Sequence, residues 1–133
     1  MPILDSDILI AYFRNVPKAV EITDNLILEK IRLKTTIFNV AELYKGAFLS
    51  SKVEENINQI KEFLHNITII EFTMQDAIKF AQISADLRKK GEKIGDFDEL
   101  IASIAINKEE TIFTRNISHY ERIPQLSFKN WEE

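Results

Sequence analysis

The sequence predicts an α/β domain with a short-stranded, mainly parallel central sheet covered by helices on both faces. Three observations predict it. Short β-branched and apolar runs alternate with longer helix-periodic segments along the whole chain, and no repeat or biased linker interrupts them. The segment 100–106, LIASIAI, is apolar almost all the way round, as a helix buried on most sides must be. Strands separated by helices need crossovers, which are right-handed and make the strands parallel.

Each element has its own signal. Residues 2–5 read as a first strand, and 6–14 as a helix with Ile8, Leu9, Tyr12 and Phe13 inward. Pro17 suits a first helical turn, and the helix it opens runs to about residue 32 on Val20, Leu26, Ile27 and Ile31. Residues 35–38 are β-branched and aromatic, a strand. Asn39 is placed to cap a helix over 40–49, and 54–64 follows as another. A strand over 67–72 leads to Thr73, which caps a long helix through Lys90, with Gly91 as its left-handed C′ residue. The 100–106 helix is central. Two further strands, 111–114 and 126–128, close the chain, with Trp131 as a core or interface anchor.

At 133 residues and 15.5 kDa, the chain is expected to form one domain over 1–133. The absence of cysteine excludes disulfides, thiolate nucleophiles and Cys-based metal sites. Asp5 and Asp7 interrupt the first apolar run and no basic segment precedes it, so no secretory signal is expected there. No stretch is long enough to span a bilayer, and the expected location is the cytoplasm. The net charge of −4 argues against a general nucleic-acid binder, unless some of the acids gather in one site and hold cations.

Three acids fall where a parallel sheet has its ligand crevice, at the carboxyl ends of strands. Asp5 closes the first strand. Glu42 lies in the first turns of the helix after the second strand, within NVAELYKG, and Asp98 in the first turn of the central helix, within GDFDELIA. Asp98 shares a helical face with Ile101, Ala102 and Ala105, so it is expected to point inward. Carboxylates converging on one crevice raise one another's pKa unless a cation neutralises them, and hard oxygen ligands suit Mg2+ or Mn2+. Each acid alone has a second explanation. Acids favour first helical turns, and Asn39 with Glu42, or Asp96 with Glu99, has capping-box spacing. Caps do not explain why the set falls at successive strand ends beside a nearly all-apolar helix.

The segments ILDSDILIAYF, FNVAELYKG, IGDFDELIASIAI and TRNISHYERIPQLSFKNW, in this order and spacing, make the chain resemble a PIN-domain protein of the VapC toxin type, from VapBC toxin–antitoxin pairs. The resemblance spans essentially the whole chain. It implies a PIN-like three-layer α/β/α fold and a metal-dependent endoribonuclease with Mg2+ or Mn2+ held by Asp5, Glu42 and Asp98. It also implies Ser6 as the small hydroxyl residue beside the first acid, a homodimer, and an antitoxin whose C-terminal segment covers the crevice. Two alternatives remain open: a PIN nuclease in RNA processing or quality control, and a catalytically silent PIN binding module.

The chain departs from the family where many members carry a fourth acid. Asn116 stands there, expected to offer a weak carbonyl contact or to hold a water. Asp7 and Asp96 are the candidates to supply the missing charge, with helix capping as the other reading. Arg88, Lys89, Lys90 and Lys93 read either as a helix end that favours cations or as a phosphate-binding edge, aided by Lys45 and Arg115. Thr114 follows a strand and is placed to touch a site water, while Ser103 reads as packing. His119 falls near the crevice and His65 at a solvated helix end; two isolated histidines provide neither metal-ligand spacing nor a triad.

Overall fold

Five strands, β1 (Ile3–Leu4), β2 (Lys34–Thr36), β3 (Thr68–Ile70), β4 (Ile112–Thr114) and β5 (Phe128–Asn130), pair in parallel in the order β3-β2-β1-β4-β5. This is a computed structural model, and it describes residues 2–133. Ile3 lies opposite Lys34 on one side and Ile112 on the other, so β1 is the central strand from which the chain winds both ways. Seven helices among the described residues cover the sheet: α1 (Ser6–Phe13), α2 (Pro17–Leu28), α3 (Ile37–Leu49), α4 (Val53–Leu64), α5 (Met74–Lys90), α6 (Asp96–Lys108) and α7 (Ile117–Tyr120).

Successive strand residues point to opposite faces, and β1 feeds a separate core on each. Ile3 belongs to a core built with Ile83 and Leu87 of α5 and with Ile101, Ile104 and Ala105 of α6. Leu4 belongs to the core on the other face, with Ile8, Leu9, Ala19, Leu26 and Leu43. The result is the expected three-layer α/β/α architecture. In α6, Ile101, Ala102, Ile104 and Ala105 are wholly buried, which accounts for the unbroken apolar run. Each buried isoleucine contributes about 1.5–3 kcal/mol relative to exposure.

Several boundaries differ from the sequence expectation, each for a local reason. The second strand ends at Thr36, and Phe38 is helical. Thr36, not Asn39, caps α3: its hydroxyl accepts the Asn39 amide N–H at 3.2 Å, and Asn39 Oδ1 accepts the Thr36 N–H at 3.2 Å. This is a capping box written with Asn in place of Glu or Gln. Glu42 therefore belongs to no cap. Helix α2 stops at Leu28, not near residue 32, because Lys30 turns left-handed at φ 59° and Ile31 N–H closes on Leu26 C=O at 2.9 Å. Along it Ile27 is half exposed, while Ala19, Thr23 and Leu26 face inward. The last strand lies two residues later than expected. Leu126 is buried in the preceding turn, where its N–H bonds Ile123 C=O at 3.1 Å, and the ladder to β4 begins at Ser127.

Thr73 caps α5 and Gly91 ends it at φ 69°, as expected. The 96–99 capping box does not form. Glu99 Oε2 instead accepts the Ile94 N–H at 3.3 Å, beneath the loop that enters α6. Ser103 bonds Leu100 C=O within its own helix, a packing role, and His65 sits at the C-cap of α4. No helix among the described residues is long and apolar enough to cross a membrane.

Candidate active site

Strand order reverses at β1, between β2 and β4, and in open parallel sheets the ligand crevice opens at the carboxyl ends of the strands beside such a point. Asp5 is the residue after β1 and the N-cap of α1. Its Oδ1 accepts the Ser6 N–H at 2.8 Å and Asn39 Nδ2 at 2.9 Å, and its Oδ2 accepts the Thr114 hydroxyl at 2.8 Å. Those three donors come from α1, from α3 and from the end of β4, so the carboxylate is fixed from three sides. At 5% exposure it is nearly stripped of water. Burial, and then the charge of Asp7, push its pKa from 3.8 up to about 7, against the lowering effect of the Thr114 and Ser6 hydrogen bonds.

Asn39 reads from the sequence as a helix cap only, yet it belongs to the site. Its Oδ1 is committed to Thr36, which turns Nδ2 toward Asp5 and toward Ser6 Oγ at 2.8 Å. The Ser6 hydroxyl in turn donates to Glu42 Oε1 at 2.8 Å, so one chain of hydrogen bonds links the first acid to the second. Burial raises the Glu42 pKa, with Asp98 and Asp7 adding to the rise and Lys45 opposing it. Ser6, expected beside the first acid, and Thr114, expected to touch a site water, are 7% and 0% exposed, and each holds an acid. The only sequence signal for Asn39 is its position three residues after Thr36.

Asp98 stands on α6 with its side chain 20% exposed. Its Oδ2 receives His119 Nδ1 at 2.7 Å and Asn116 Nδ2 at 2.9 Å, and the Tyr120 hydroxyl lies 3.5 Å from Oδ1. Asn116 thus turns its amide nitrogen to Asp98, where a carbonyl or water contact was expected. Tyr120 is wholly buried, and burial followed by the charges of Asp5 and Asp98 pushes its phenol pKa well up. It remains a proton donor at any ordinary pH.

Asp5, Ser6, Asp7, Glu42, Asp98, Arg115 and Asn116 line one cavity of about 380 Å³, joined by Arg14, which carries no motif in the sequence. Asp7 lines it with both oxygens engaged: Oδ1 accepts Trp131 Nε1 at 2.9 Å, and Oδ2 accepts the Arg115 N–H at 3.0 Å and the Thr114 hydroxyl at 3.1 Å. It ties Trp131, just after β5, and the end of β4 to α1 and has little left to offer a cation. Asp96 is not in the crevice. Two residues of helix turn a side chain through about 200°, so Asp96 faces away from Asp98, 69% exposed and 4.0 Å from Lys93. Arg88 and Lys93, with Lys89 and Lys90, also lie outside the lining, exposed at the end of α5 and in the loop after it. The cations at the mouth are Arg14 and Arg115, with Lys45 near enough to lower the Glu42 pKa.

The donors suit a hard divalent cation, being carboxylate oxygens without sulfur. Asp5, 5% exposed and held at about 7 by lost hydration and by Asp7, is a carboxylate whose charge lacks a counter-charge. Among the described residues no three acids or histidines close on a common point.

Fold and crevice together define a class: a three-layer parallel α/β domain with an oxygen-only acidic site at the strand ends of its switch point. The PIN domain model matches residues 3–124, and the chain belongs to that family. It is 31% identical to the Ribonuclease VapC2 of Rickettsia felis over 98% of this chain and 97% of that protein. To the tRNA(fMet)-specific endonuclease VapC of Salmonella typhimurium it is 29% identical, over 96% of each. Its fold matches the crystal structure of VapBC2 from Rickettsia felis bound to a DNA fragment from their promoter, with a TM-score of 0.88, 30% identity and 98% of both chains covered.

Proposed function

We propose that this chain is a Mg2+- or Mn2+-dependent endoribonuclease, the toxin of a toxin–antitoxin pair, whose cation is held by Asp5 and Asp98, with Glu42 directly or through water. The observation that carries the reading is the buried Asp5 carboxylate, held from three elements and facing the same cavity as Glu42 and Asp98. A bound divalent cation supplies Lewis-acid chemistry, activating water and stabilising charge on the phosphoryl oxygens. Water's oxygen bonds to phosphorus as a ribose oxygen leaves, so the chain provides no nucleophile of its own. Asn39, Ser6 and Thr114 keep the acids oriented, and Arg14 and Arg115 flank the phosphate path. The test is cleavage of single-stranded RNA with Mg2+ or Mn2+ and its loss with EDTA. Full activity after verified metal removal would sink this reading.

The relatives' names support the activity, and the VapBC structure supports a protein partner. A second, more apolar groove of about 210 Å³ shares Ile10, Arg14 and Glu42 with the crevice and continues along Phe13, Leu43 and Ile60. Its shape suits an antitoxin segment with apolar anchors and one basic side chain reaching the acids. Exposed Ile37, Met74 and Phe97 offer apolar surface for a homodimer. The reading includes a single domain over 1–133 and a cytoplasmic location.

RNA contacts are expected from the mouth and not from the α5 end. Arg14→Ala and Arg115→Ala should each weaken RNA binding at all sequences and reduce the salt slope by about 0.7 for each phosphate left without its cation. Arg88→Ala with Lys93→Ala should leave the slope as it is. Anisotropy titrations with labelled RNA in EDTA, across a range of KCl, decide between them; the reverse pattern would return phosphate binding to the α5 end.

A further inference from the structure

One short helical turn places three side chains on a single carboxylate. Asn116, His119 and Tyr120 have i, i+3, i+4 spacing, which puts them on one side of α7, and all three reach Asp98. Their grip is uneven. Oδ2 takes Asn116 Nδ2 at 2.9 Å and His119 Nδ1 at 2.7 Å, whereas among the described residues Oδ1 has only the Tyr120 hydroxyl at 3.5 Å.

Asn116 Nδ2 also stands 3.0 Å from His119 Nδ1. An amide nitrogen can only donate, and a carboxylate oxygen can only accept. Nδ1 therefore carries a hydrogen directed at Oδ2, which leaves Oδ2 with two N–H bonds and Oδ1 with lone pairs to offer. The contact does little for the fold, since the His119 side chain is 36% exposed and a hydrogen bond open to water on one side stabilises weakly. What it does is remove rotational freedom from Asp98.

We propose that His119 is a positioning residue which, with Asn116, pins Oδ2 of Asp98 so that Oδ1 is the oxygen presented to the divalent cation. This rests on the metal-dependent reading above. Partners that orient a metal-ligating carboxylate typically change metal affinity by about 10–100-fold when removed.

The experiment is calorimetric titration of the whole chain with MnCl2, without RNA, for wild type, His119→Ala and His119→Asn, with thermal unfolding of each in EDTA. His119→Ala should weaken Mn2+ binding by about tenfold or more. His119→Asn should restore most of it, because Asn Nδ2 branches from Cγ as His Nδ1 does and carries the same donor. Unchanged Mn2+ affinity in His119→Ala overturns the proposal, whether or not the unfolding midpoint falls. If His119→Asn binds as weakly as His119→Ala, the imidazole itself is required and the positioning role is wrong. Failure of the metal reading would show separately, as wild type that takes up no Mn2+, and the proposal would fall with it.

Discussion

Asp98→Asn is expected to slow RNA cleavage by at least about a hundredfold at saturating Mn2+, with an unfolding midpoint close to wild type. The substitution is nearly isosteric. Asparagine can turn its carbonyl oxygen to the Oδ2 position and still accept from His119 and Asn116, so the packing of α7 against α6 is kept. What changes is the other atom, which becomes an amide nitrogen that cannot ligate a cation. Asp96→Asn is the matched control. It lies two residues away in the same helix, on the opposite face and largely exposed, and its loss should leave the rate unchanged. Single-turnover cleavage and circular dichroism melts measure both. Activity of Asp98→Asn within a few-fold of wild type, or a comparable loss in Asp96→Asn, would remove Asp98 from the site.

The contrast between those two aspartates shows how the site is written in the sequence. Helical periodicity places Asp98 on the inward face with Ile101 and Ala105, and that face is where it lies. The same arithmetic, applied to Asp96, turns it out to Lys93. Periodicity also finds the long α5 and its Gly91 stop, since glycine advertises a left-handed residue. It misses the ends of α2 and α6, where Lys30 and Glu109 adopt that conformation without any glycine to signal it. The cap of α3 falls at Thr36, three residues before the expected Asn39, because either residue type can cap a helix and only the fold decides which one does.

Long-range hydrogen bonds are the least legible part. Nothing in the residue types says that Asp7 accepts from Trp131, 124 positions away, or that Thr114 faces inward to Asp5 and not out to substrate. Those pairings come from placing β4 beside β1 and β5 beside β4, and so depend on sheet order. They also explain why an acid-rich crevice survives folding. Asp7 is satisfied by the chain's own N–H and O–H groups, and so adds field to the crevice without needing a cation of its own. Asp5 stands in that field and carries the strain.

Asp5→Asn is therefore expected to make the metal-free protein more stable at pH 8 while abolishing cleavage. With a pKa of 3.8 in the unfolded chain and about 7 in the native one, Asp5 is protonated in both states below pH 4 and costs nothing there. Between about pH 4 and pH 7 the native state holds a proton that the unfolded state has lost, so stability falls as pH rises. Above pH 7 the cost is complete, on the order of 4 kcal/mol for this difference in pKa. Asparagine removes that cost. Its carbonyl oxygen still accepts from Ser6 N–H and Asn39 Nδ2, and its amide can donate to Thr114 Oγ1, whose own proton turns to Asp7 Oδ2. Urea unfolding in EDTA across about pH 4 to 8 should show the wild-type midpoint falling with pH and the variant's falling less, by what the raised Glu42 pKa still contributes, the two curves separating most at the alkaline end. Adding Mg2+ at pH 8 should raise the wild-type midpoint more than the variant's, because the variant keeps Asp98 and Glu42 but lacks the buried charge that the cation neutralises. If Asp5 were a helix cap and nothing more, Asn would serve as well and the two curves would run parallel at every pH. Parallel curves, or a variant less stable than wild type at pH 8, would leave the site without its buried charge.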